Sequence, residues 1–176
     1  MDVHHLVVFT HLAAMAGFFG ALAIEGVSLI FLRRATSYEQ AREWTSLWRL
    51  LPLIGGPSVF VALASGIYLA TAFGLWEFGW TRVAIPTVVL VAVLGGILAP
   101  HRGRLQKALN VSAGTLPPDV QQQLRRPLDM ASWRVRAAIL CGLVFEMTTK
   151  TDAGLLTMTP FVATGMVWGA MAWKTR

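Results

Sequence analysis

Apolar positions in this chain come in long unbroken runs, without the short alternations of a soluble fold. Five runs approach the ~20 residues that a helix needs to cross a ~30 Å hydrocarbon core. They extend from His5 to Leu32, Leu51 to Phe73, Trp80 to Pro100, Trp133 to Thr149 and Leu155 to Trp173. The pattern predicts an all-α polytopic membrane bundle, one domain over residues 1–176 with five transmembrane helices. The fourth run is short and opens on Arg134 and Arg136, whose long side chains are expected to snorkel to the interface.

Two polar stretches between the runs have patterns of their own. Trp44, Leu47, Trp48 and Leu51 recur at i, i+3, i+4 and i+7, and Ser37 with Gln40 has the form of a capping box. An amphipathic helix on the inner membrane face is expected there. Residues 101–130 form the one sizeable soluble piece, a cytoplasmic loop. Gly114 and Pro117-Pro118 break it into an extension of the third span and a short segment around Val120 to Arg126.

Small residues mark where helices approach closely, because lipid supplies little hydrophobic force between them. The second span has Ala62, Gly66, Ala70 and Gly74 at four-residue spacing, the first has Ala13, Gly17 and Ala21, and the fifth has Gly165 and Gly169. Gly55-Gly56-Pro57, with Pro52 just before, weakens the start of the second span. It reads either as a kink or as a broken helix that exposes carbonyls to a ligand.

Composition agrees with lipid as the solvent. Hydrophobic residues make up 55% of the chain and charged residues 14%, too little polar material to coat a globular surface. The net charge of +6 and pI near 10.5 would suit a nucleic-acid partner if the basic residues formed one face. They fall instead in the connections, which excludes that reading. Arg33, Arg34, Arg42 and Arg49 lie between the first two runs. Arg102, Arg104, Lys107, Arg125, Arg126, Arg134 and Arg136 lie between the third run and the opening of the fourth, and Lys174 and Arg176 follow the fifth. Only Arg82 and Lys150 remain for the other side. The positive-inside bias then sets the N-terminus outside and the C-terminus in the cytoplasm, with the basic loops against anionic lipid headgroups. The seven tryptophans fall at proposed interfaces, as amphipathic indoles do. The first run is preceded by no basic segment and is too long for a signal-peptide core, so it is expected to remain a span. Cys141, the single cysteine, has no disulfide partner in the chain.

Charged groups inside the hydrocarbon cost ~2.5–3.5 kcal/mol or more on insertion, so each calls for a partner or a purpose. The candidates are His11, Glu25 and Glu146, with Lys150 close to the last. His4, His11, Phe18 and Glu25 repeat every seven residues and share a face that should look into the bundle. Glu25 can reach Arg33, Arg34 or an arginine of the fourth span. His11 and Glu146 both belong to the outer half, where a pair is geometrically allowed. With Lys150 they form either a polar site for a proton, ion or small ligand, or a hydrogen bond that fixes helix packing. His4 and His11 are ~10.5 Å apart in rise, so one ion cannot take both, and no metal site is expected. Haem b is the cofactor alternative, on His11 alone, on His11 with a methionine such as Met147, or with a partner chain. No Walker loop, GxGxxG, HExxH or nucleophile elbow is present.

Several short segments carry a resemblance: the early histidine followed by small residues (His11 to Gly20), Ser65-Gly66-Ile67-Tyr68-Leu69, the helix start Trp80-Thr81-Arg82, and Met147-Thr148-Thr149-Lys150. In these the chain resembles a bacterial family of small integral membrane proteins of unknown function. It is loosely similar in layout to copper-resistance-D-like membrane proteins and to haem-associated membrane protoporphyrinogen oxidases. Such families read Lys-Pro where this chain has Lys150-Thr151. The resemblance implies a multi-pass protein of the bacterial plasma membrane with no settled activity. The expected function is therefore non-enzymatic binding, transport or an accessory role, with a homo-oligomer or another membrane protein as partner. The rivals are a haem-binding oxidoreductase and a structural subunit of a membrane complex.

Overall fold

The computed structural model describes residues 2–150 and 154–174 and is built of helices. Asp2 caps the first of them by accepting the His4 N–H at 3.4 Å. The first proline of the chain is Pro52, so α1 runs unbroken over Val3–Leu32. Helix α2, Tyr38–Ser46, starts where Ser37 Oγ accepts the Gln40 N–H at 3.3 Å. Gln40 reaches back to the N–H of Thr36 at 3.0 Å, so the expected box closes one residue earlier than its usual form.

A 3-10 turn, Leu47–Arg49, and a π-helical turn, Leu51–Gly55, then lead into α3, Gly56–Ala72. Gly55 and Gly56 both keep right-handed helical dihedrals, so the Gly55-Gly56-Pro57 segment widens the helix without breaking it. The reason is local. Pro57 has no N–H to return to the preceding turn, and the wide turn absorbs the missing bond.

Helix α4 covers Gly79–Ile97 and continues past Leu98 as α5, Ala99–Asn110. Gly114, at φ 90°, reverses the chain into α6, Pro118–Leu124. Helix α7, Pro127–Thr149, starts six residues before the apolar run that announced it, and α8, Leu155–Ala170, ends in a turn over Met171–Trp173. Among the described residues, four helical stretches are long and apolar enough to cross a membrane: Val3–Leu32, Tyr38–Ala72, Gly79–Asn110 and Leu155–Trp173. Large apolar residues face outward on each of them, among them Phe9, Phe60, Val93, Ile97, Leu155 and Leu156.

The fifth long helix, α7, does not reach that apolarity, and its packing explains why. It lies against α8, α4 and α1, while α1 also packs on α3. Its charged residues Asp129, Arg136 and Glu146 are buried, and Val144 and Phe145 face outward. Small residues make the contacts as expected. A Cβ at Gly165 would lie 3.0 Å from that of Ala138, and one at Gly17 would overlap Ser58.

Two apolar cores result. One is built from the middle of the long helices, including Phe18, Leu22, Val88, Ile139 and Leu143. The other joins the end of α1 to α2, α5 and α6 through Leu29, Leu32, Ala41, Leu109 and Leu124. A short backbone clasp ties this second layer together, with Tyr38 N–H donating to Gly114 O at 3.0 Å and Leu116 N–H to Thr36 O at 3.0 Å.

Candidate functional site

Glu25 lies between Leu22 and Leu29 on α1, at the boundary of the two cores. Its carboxylate meets two guanidinium groups. Arg102 of α5 donates through Nη2 to Oε1 at 2.5 Å. Arg136 of α7 donates through Nη1 to Oε2 at 2.9 Å and through Nη2 to Oε1. Asp129, in the first turn of α7, stands 3.7 Å from Arg102 Nε. All four residues are buried, with Glu25 and Arg136 each 4% exposed and Arg102 6%. Two carboxylates against two guanidinium groups cancel formally, which is the condition under which charges survive desolvation.

The surroundings hold this cluster in place. The indole of Trp48 lies 5.5 Å from the Arg102 guanidinium carbon, a cation–π contact. Its Nε1–H donates to Ser28 Oγ at 2.8 Å, and the Ser28 hydroxyl donates to the backbone carbonyl of Glu25 at 2.8 Å. Trp133 donates to Leu22 O at 2.8 Å, its ring filling the space left by the missing side chain of Gly26. These two indoles therefore point into the protein, where the sequence pattern placed them at the lipid interface. Arg136 departs from its expected role as well. It turns inward to Glu25 across Gly95, whose absent Cβ would sit 3.0 Å from Nη1, so only Arg134 stays at the edge, donating to Trp168 O at 3.0 Å.

Beside the cluster is a cavity of about 520 Å³. Glu25, Arg102 and Arg136 form its polar wall, Phe18, Leu22 and Val59 part of its apolar wall, and Arg49 and Gln106 also border it. Its volume comes from glycine. Gly56, Gly96 and Gly103 line it, and a Cβ at any of the three would meet nothing within 4 Å. The π-helical turn at Leu51–Gly55 borders the same space through Leu51, Pro52 and Gly55.

No family model, curated protein or solved structure matches this chain.

The four residues singled out by the sequence do not form one cluster. His11 and Glu25 share a face of α1 but are ~21 Å apart in rise. The His11 imidazole turns to α3, where Nδ1 lies 3.0 Å from Ala62 O and 3.0 Å from Ser65 Oγ. Gly66 makes room for the ring, since a Cβ there would come within 3.1 Å of Cε1. With Nδ1–H given to the Ala62 carbonyl, Nε2 is the nitrogen left for a proton, a metal or a haem iron. His4 packs on the same helix, its ring 5.2 Å from that of Phe73. Glu146 is fully buried on α7, ten residues beyond Arg136. Lys150 is exposed and ends α7 in a left-handed conformation, φ 51°, its N–H donating to Glu146 O at 2.8 Å. Among the described residues no group of three or more His, Cys, Asp or Glu side chains is placed to hold a metal ion.

Sequence reasoning reached Glu25 and an arginine of the fourth span as its partner, and missed Arg102, Asp129 and the inward role of Trp48. Arg102 was read as a loop residue because it follows Pro100. The helical extension of the third span expected after Pro100 is found as α5, and it is this extension that carries Arg102 to Glu25.

Proposed function

We propose that the protein is a five-span integral membrane protein of the bacterial plasma membrane that binds a ligand in the cavity beside Glu25, Arg102 and Arg136. The observation that carries this reading is the ion cluster itself, which forms the polar wall of a 520 Å³ space among apolar helices. That volume falls within the ~300–1,000 Å³ of small-molecule sites. Ionisable groups at this depth are costly, and structural pairing alone does not call for an adjacent cavity. The site would serve binding, transport or an accessory role, with no reaction assigned.

The five-span arrangement rests on α7. At 23 residues it is ~34 Å long, enough to cross, and its charged residues Asp129, Arg136 and Glu146 are buried against its neighbours. Counting it as a span puts thirteen of the fifteen basic residues on one side. The N-terminus is then outside, the C-terminus is cytoplasmic, and the cavity belongs to the inner half. The second core with its basic surface would rest on anionic headgroups there.

Native mass spectrometry after extraction in mild detergent tests the binding reading. The expected result is a retained small ligand on the wild-type protein and its loss from the cavity-filling variant Gly96→Leu. An identical mass profile for both proteins would remove the reading.

A haem-binding oxidoreductase is the second reading, favoured by the hydrogen bond between His11 Nδ1 and the Ala62 carbonyl, which orients Nε2 as a ligand. An absorption spectrum of the purified protein decides it, since bound haem gives a Soret band that His11→Ala would abolish.

A further inference from the structure

We infer that the cavity takes an anionic amphiphile, a single apolar chain ending in a carboxylate or phosphate that accepts hydrogen bonds from Arg102. The inference rests on the binding reading above and names the class of its ligand.

Arg102 carries the argument. A guanidinium has five N–H donors. Among the described residues, one of those on Arg102 makes a hydrogen bond, Nη2 to Glu25 Oε1. Its buried Nε makes none, since Asp129 stands 3.7 Å away, too far for a second hydrogen bond. The residue is 6% exposed, and it lines the cavity. Arg136, by contrast, is held through three nitrogens, Nε on Ser132 O and both terminal nitrogens on Glu25. A buried guanidinium with N–H groups left over on a cavity wall is a donor site for an oxyanion, because planar N–H pairs match carboxylate and phosphate geometry.

Net charge along the wall has the same sign. Arg102 and Arg136 are balanced by Glu25 and Asp129, and Arg49, exposed at the rim, adds the one uncompensated charge on the wall, which is positive. Asp129 offsets Arg102 from behind and is not part of the lining. Apart from Gln106, the rest of the wall is largely apolar: Phe18, Leu22, Val59 and Val91 belong to or pack on the first core. Cations at one end and apolar side chains along the remainder describe a headgroup and a tail. A free inorganic anion would leave that apolar wall unused.

Titration of the purified protein in a neutral maltoside detergent, followed by the fluorescence of Trp48 against a Trp48→Phe background, tests this. The probes are dodecanoate, dodecyl phosphate, dodecanol and inorganic phosphate. The inference expects both chain anions to bind, dodecanol and inorganic phosphate to bind about tenfold or more weakly, and Arg102→Gln to weaken the chain anions by about the same factor, the worth of a charge-assisted hydrogen bond. Gly96→Leu keeps every charge and should abolish binding of all chain probes, which covers the case of an Arg102→Gln protein that fails to fold. Equal binding of dodecanol and dodecanoate would overturn the anion and leave a ligand-binding cavity standing. Inorganic phosphate binding as tightly as dodecyl phosphate would overturn the amphiphile. If no probe binds and Gly96→Leu also leaves the native mass profile unchanged, both the inference and the reading beneath it fail.

Discussion

Arg136 clasps both carboxylate oxygens of Glu25, with Nη1 on Oε2 at 2.9 Å and Nη2 on Oε1. Two parallel N–H···O bonds fix the relative position of α1 and α7 in a way that apolar packing alone does not. Because the pair is buried, its effect on stability is asymmetric: an apolar replacement of the whole group can be tolerated, but removal of one charge leaves its partners uncompensated.

Glu25→Gln therefore faces two buried guanidinium groups with no carboxylate between them. The expected loss is about 3–5 kcal/mol, read as a marked fall in thermal midpoint in detergent. Adding Arg102→Gln should recover part of it, because the two sites share one network. Equal and additive losses would mean that the cluster is not coupled.

Gly26 sets how closely α1 approaches Trp133. A Cβ at this position would lie 2.3 Å from Trp133 Cζ2, so Gly26→Ala must displace the indole and with it the bond to Leu22 O. The expected cost is about 1–3 kcal/mol. Gly20 is the matched control, since a Cβ there meets nothing within 4 Å. Gly20→Ala should be neutral or stabilising by about 0.4–1 kcal/mol, and thermal melts of the two variants compare them directly.

The C-terminal tail reports on α7. With α7 crossing the membrane, a reporter fused after Lys174 and one inserted near Gly114 both face the cytoplasm. With α7 lying at the surface, the same two reporters fall on opposite sides. The expected outcome is cytoplasmic signal from both, in a paired phosphatase and fluorescent-protein fusion assay.

Much of the fold could be read from hydrophobic run length. The bounds of α1, α3, α4 and α8 follow the apolar runs closely, because each of these helices turns a broad face of residues such as Phe60 and Ile97 outward. The opening of α7 was missed at Asp129, and the run was begun only at Trp133, with Arg134 and Arg136 inside its first turn and expected to snorkel to the interface. Asp129 and Arg136 are buried against neighbouring helices, and only the three-dimensional arrangement reveals this.

The site was legible in part for a related reason. A single acidic residue within an apolar run stands out, so Glu25 could be found. Its partners come from positions 77 and 111 residues away, distances at which no local spacing rule applies. His11 was visible by the same rule, but its partners, a backbone carbonyl and the hydroxyl of Ser65, carry no sequence signal that separates them from other helix positions. Glycines were read as contact stripes, which holds for Gly17 and Gly165. Gly56, Gly96 and Gly103 do the opposite and leave space.

Whether that space opens to the cytoplasm is the most direct test of the whole account. In a Cys141→Ala background, Gly56→Cys would put a thiol on the cavity wall, and Gly20→Cys would put one outside it. A membrane-impermeant thiol reagent should label the Gly56→Cys protein in inside-out vesicles and spare it in right-side-out ones, while Gly20→Cys stays unlabelled in both. Labelling of Gly56→Cys from the outer face alone, or from neither face, would contradict a cytoplasm-facing binding cavity.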